Sequence, residues 1–154
     1  MTGIREFFAL FIATLPLMAQ AQEATPCDWR ASAASVVEPW DENARTFANG
    51  AVRLALLDTI EPAAAAFHVL VLSPPFDEVG GRQCRIISAD AAGSGFEAID
   101  FAALEADYEP STGLLFMMPA RLYDPEDGPV KMGRLSFALN QATGEIATLF
   151  EAPK

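Results

Sequence analysis

The groups in this chain most able to do chemistry are its carboxylates, its single histidine and its two cysteines. Glu105, Asp107 and Glu109 alternate, so on a β-strand they project from one face. Glycoside hydrolysis asks for two carboxylates across a cleft, about 5–10 Å apart, with one desolvated enough to hold its proton. A row on a polar strand supplies the charges without the desolvation, and a solvated face is the simpler account of it. Asp124, Glu126 and Asp127 cluster in Asp124-Pro125-Glu126-Asp127-Gly128, the kind of hard oxygen donors that calcium takes. That cluster departs from the EF-hand spacing and lacks its downstream Glu, and Pro125 with Gly128 explains it as a turn without a metal.

His68 sits in Phe67-His68-Val69-Leu70, an apolar setting that predicts a core or sheet-face histidine held by one hydrogen bond. A Ser-His-Asp triad would have to use it, yet Ser94 in Ala92-Gly93-Ser94-Gly95-Phe96 misses the G-x-S-x-G elbow at both outer positions. One histidine and two cysteines fall short of a zinc site, and there is no C-x-x-C pair. Gly80-Gly81 and Gly93-Ser94-Gly95 lack the lysine and the strand–helix setting of a phosphate loop. No metal and no cofactor is expected.

The cysteines take their meaning from the start of the chain. Met1–Arg5 is a short charged opening, Phe7 to Met18 is an apolar run, and Ala19-Gln20-Ala21 supplies small residues two apart. That order predicts a signal peptide over 1–21, cleaved so that the mature chain begins near Gln22. The run is shorter than the roughly 20 residues that cross a bilayer, and no later stretch is long and apolar enough, so stable membrane insertion after cleavage is not expected. Export to the periplasm or the medium puts Cys27 and Cys84 where disulfides form, and their pairing is expected. The formal net charge of −11 repels phosphates, which disfavours nucleic acid and anionic lipid and suits a cationic protein partner.

These groups need a scaffold, and residues 22–154 have the length of one domain. Residues 22–44 show no clear period and read as an irregular lead-in, extended or partly helical, with Trp29 and Trp40 as candidate anchors onto the core. Val52, Leu54 and Leu56 then share one face of a strand, while Phe67 to Leu72 is apolar on both faces and predicts a buried central strand. Arg82 to Ser88 reads as another strand. Glu109-Pro110-Ser111-Thr112-Gly113 and Asn140-Gln141-Ala142-Thr143-Gly144 repeat one turn chemistry, each a hairpin loop closed by a glycine able to take φ > 0. The fold class expected is all-β, a small antiparallel sandwich or open barrel ending in a two-hairpin meander. The alternative is α+β, with 30–38 or 97–106 helical against a sheet. The functional expectation is an exported, non-catalytic domain with a binding or envelope-associated role, directed to a cationic protein. The alternative is a carboxylate-dependent hydrolase of envelope glycans using Glu105, Asp107 or Glu109.

Overall fold

The computed structural model describes residues 22–124, 128 and 130–153; the expected signal peptide, Glu126 and Asp127 lie outside them. Ten strands form two antiparallel sheets that pack face to face as a sandwich, among the described residues. The first sheet holds β1 (Glu23–Pro26), β2 (Ala44–Phe47), β3 (Val52–Asp58), β4 (Phe67–Phe76) and β5 (Arg82–Ser88), in the order β1-β5-β4-β3-β2. The second holds β6 (Ala98–Ile99), β7 (Glu105–Glu109), β8 (Gly113–Leu122), β9 (Lys131–Leu139) and β10 (Ile146–Glu151). Its order is β10-β9-β8, with β6 and β7 both pairing β8.

The main core lies between the sheets. Val52, Leu54, Leu56, Val69, Val71 and Ile87 of the first meet Phe116, Met118, Leu135, Phe137 and Leu139 of the second. Phe116 links them, with ring centroids 4.9 Å from both Phe47 on β2 and Phe137 on β9. β4 is the middle strand, and residues 68–71 are buried, because both of its faces are covered. It also runs past Ser73-Pro74-Pro75 to Phe76. The prolines donate nothing to the ladder, so pairing slips after Ser73 and resumes at Phe76 opposite Arg82.

The two expected hairpins are present. Glu109 pairs Gly113 at the end of β7–β8, and Leu139 pairs Ile146 at the end of β9–β10. Gly113 has φ +109, and a side chain there would collide with the Leu139 carbonyl oxygen. Gly144 (φ +76) has its N–H on the Asn140 carbonyl at 2.7 Å, and its own carbonyl accepts from Gln83 Nε2 at 2.6 Å, tying this turn to the first sheet. Leu135, Phe137 and Leu139 stand opposite Phe150, Thr148 and Ile146 on the inward face, as the two-residue period requires. Residues 97–106 combine both readings considered for them, with β6, a 3₁₀ turn at Phe101–Ala103 and the start of β7.

The lead-in is extended in part and helical in part. It contains β1, a four-residue helix α1 (Trp40–Asn43) and the start of β2. β1 and β2 follow each other in sequence yet occupy opposite edges of the first sheet. Residues 27–43 must therefore cross its outer face, a span of four strand spacings or about 19 Å. This strap covers Ala55, Leu57, Leu70 and Ile86 with Cys27, Ala31 and Val36, making a second core. Val36 bridges Leu57, and Val37 N–H donates to the Leu56 carbonyl at 3.0 Å. Trp29 and Trp40 do not anchor it; they are 71% and 54% exposed, because Cys27, Ala31 and Val36 take the inward positions.

The strap is stapled by the Cys27–Cys84 disulfide, with Cα atoms 5.4 Å apart. A disulfide fits an oxidising, non-cytoplasmic compartment. Among the described residues no helix is long and apolar enough to cross a membrane. Replacing both cysteines with serine should lower the unfolding free energy by about 2–5 kcal/mol in urea titration, the usual cost of losing a native disulfide from a small domain. The unreduced, denatured protein should show no thiol to a labelling reagent, and two reactive thiols would refute the pairing.

Candidate functional site

Two places gather chemistry-bearing side chains: a buried polar cluster under the strap and the outer face of the second sheet. The cluster begins at Asp28, whose carboxylate accepts from the Arg30 Nε at 3.0 Å and Nη2 at 2.8 Å. Arg30 is buried, and its Nη1 donates to the Gly93 carbonyl at 2.9 Å and to Ser88 Oγ at 3.1 Å. Ser88 Oγ in turn lies 3.1 Å from His68 Nδ1. With the ring neutral, Ser88 accepts from the guanidinium and donates its O–H to Nδ1, an assignment drawn from the network.

Burial chiefly, and then the Arg30 charge, lowers the His68 pKa to about 4, while the Asp28 charge opposes the shift. Hydrogen bonds from the Arg30 side chain hold the Asp28 carboxyl below its usual range. Ser88 and His68 are 0% and 2% exposed, so this contact offers no substrate a path to the hydroxyl. Its geometry is that of a structural latch between strap and sheet. Nothing in the local sequence marks Arg30 as buried. The available signal was His68 itself, an imidazole in an apolar strand that needs a polar partner.

The three alternating carboxylates lie on β7, which is exposed along its whole length. Glu105 stands opposite Met117 and Asp107 opposite Leu115, so both project outward from the second sheet beside apolar residues of β8. Glu109 follows on the same face at the hairpin end. The strand holds them in one line on an open surface, not as a pair facing across a cleft, and it does not supply the desolvation that general acid catalysis requires. Asp124, the described residue of the Asp124–Asp127 acidic cluster, is ion-paired with Lys131 at 2.7 Å.

The register extends that surface across the sheet. Leu115 aligns with Ala138 and Ala147, and Met117 with Ser136 and Leu149. Glu145, just before β10, and Glu151 at its end, both exposed, flank this row. Below it, a groove of about 430 Å³ opens among Pro119, Met132, Arg134, Glu151 and Pro153. Leu149 is 52% exposed and Met132 61%. The face thus combines apolar contact area with carboxylates along two opposite rims, an arrangement suited to binding.

No protein-family model, curated protein or solved structure matches this chain.

The latch has a definite pH signature. The folded state disfavours protonated His68, whereas the unfolded chain takes up the proton near pH 6.5. Its contribution is therefore complete above about pH 6.5 and is lost as pH falls toward 4, by about 3 kcal/mol in total. Asp28, with its lowered pKa, adds a further loss below the ordinary carboxylate range. Denaturant unfolding across pH 7 to 4 should show this slope, and His68→Asn, which retains a polar atom near the Nδ1 position, should flatten it whatever it does to the baseline. An unchanged slope would remove His68 as its source.

Proposed function

We propose that the protein is an exported binding domain, without catalysis of its own, that meets a cationic protein partner in the periplasm or outside the cell. The observation that carries this reading is the placement of Glu105, Asp107 and Glu109. They form an exposed line of carboxylates beside half-buried Leu115 and Met117, on a chain of net charge −11. A field of one sign accelerates encounter with an oppositely charged partner. The apolar residues beside them supply contact area that charge alone lacks. The disulfide supports the exported setting, since such a bond persists where thiols are not kept reduced.

The reading is tested by affinity capture from an extract of the protein's own compartment, over salt from about 10 mM to about 1 M. Across that range the electrostatic screening length falls from about 30 Å to about 3 Å. The expected result is capture of a protein of net positive charge at low salt and its release at high salt. Absence of any partner, or capture indifferent to salt, rejects the reading.

A further inference from the structure

We infer that the outer face of the second sheet is the docking surface and that its occupant is a cationic amphipathic helix of the partner protein. The inference rests on the cationic-partner reading above and assigns it a place and a shape.

The first argument is an imbalance between the sheets. A continuous apolar run is the pattern of a strand buried on both faces. β4 has such a run and is covered twice, by the second sheet inside and by the strap outside. β8 has one too, Leu114-Leu115-Phe116-Met117-Met118, but among the described residues only its inward face is covered. Phe116 and Met118 are buried, whereas Leu115 and Met117 look outward and are only half-buried. The strap solves this problem for the first sheet, and a partner would solve it for the second.

The second argument is charge and dimension. Glu105, Asp107 and Glu109 mark the β7 rim; Glu145, just before β10, and Glu151 at its end, opposite the exposed Arg134, mark the other. β7 and β10 are three strand spacings apart, about 14 Å. An α-helix with its side chains is about 10–12 Å across, so one helix fits between the rims with its flanks against the carboxylates. Gly113 to Pro119 on β8 gives about 20 Å of length, which about 13 helical residues would cover. The complementary helix has an apolar stripe toward Leu115, Met117 and Leu149 and lysines or arginines along both sides of it. A second copy of this chain fits poorly, because it would bring the same acidic rims and the same −11 charge.

The test uses the exported, disulfide-bonded protein and a synthetic 18-residue leucine–lysine peptide with a leucine stripe flanked by lysines. A peptide of the same composition, scrambled to remove the stripe, is the control. The striped peptide should bind at low salt, more tightly than the scrambled one, and should shift backbone amide resonances of β8, β9 and β10. Reversing one charge on each rim, Glu105→Lys with Glu151→Lys, should weaken binding by roughly tenfold or more at low ionic strength. The pair Glu42→Lys with Glu78→Lys makes the same change in net charge at exposed sites away from this face, and it should cost less than about threefold. Leu149→Asn, at a half-exposed position, should weaken binding while the melting temperature stays close to that of the parent.

Equal weakening by both charge-reversal pairs overturns the assignment of the face and leaves the cationic-partner reading standing. Equal binding of striped and scrambled peptides, or no binding of either, also overturns it. So does a concentration-dependent dimer, seen by sedimentation and abolished by Leu149→Asn, which would make a second copy the occupant. Failure of the underlying reading shows separately, as the absence of salt-dependent capture.

Discussion

The architecture depends on one topological constraint: two consecutive strands sit at opposite edges of the same sheet. The connection between β1 and β2 cannot pass through the core, so it must cross the outer face. That crossing turns an ordinary one-sided sheet into a layer buried on both sides. Its stability then depends on holding an irregular segment against three strands without leaving polar groups unpaired. The disulfide fixes the strap to β5, a bridge at Val36 fixes it to β3, and Arg30 closes the remaining polar gap.

The chemistry of the latch follows from this. A segment with little secondary structure has few apolar residues to spend, so small side chains such as Ala31 pack against Ala55, Leu57 and Leu70, and one long cationic chain reaches the polar spot at His68 and Ser88. A guanidinium offers several donors in a fixed fork, which lets Arg30 serve Asp28, Gly93 and Ser88 together. Burying its charge is tolerable because Asp28 remains part-exposed and ionised beside it. Removing Asp28 alone would strand a buried cation, the costly way to break such a pair.

The parts of the fold legible in the sequence are those set by local rules. The two glycine-closed turns specify their hairpins, and the alternation in Leu135-Phe137-Leu139 specifies which face turns inward. Glu105, Asp107 and Glu109 could be placed on one strand face, but period alone does not say whether that face meets core or solvent. β1 and β2 were not legible. Glu23-Ala24-Thr25-Pro26 and Ala44-Arg45-Thr46-Phe47 are four residues each, without period, and become strands only because β5 and β3 offer free edges. Trp29 misleads for a related reason. Its size suggests burial, but Cys27 must reach Cys84 and Arg30 must reach Ser88, and those two contacts leave the intervening ring directed outward.

The electrostatics that guard the second sheet would, under the proposed reading, also select what it holds. β7 is an edge strand, and an exposed edge invites pairing with another chain unless charge or shape prevents it. Glu105, Asp107 and Glu109 would prevent addition of another acidic strand, so they protect the protein from itself. Edge protection alone explains charge on β7, but it does not explain Leu115, Met117 and Leu149 on the open surface behind it, where polar residues would serve solubility better. Under the proposed reading, a surface that repels its own kind while offering apolar area between two acidic margins would discriminate by sign of charge and by shape.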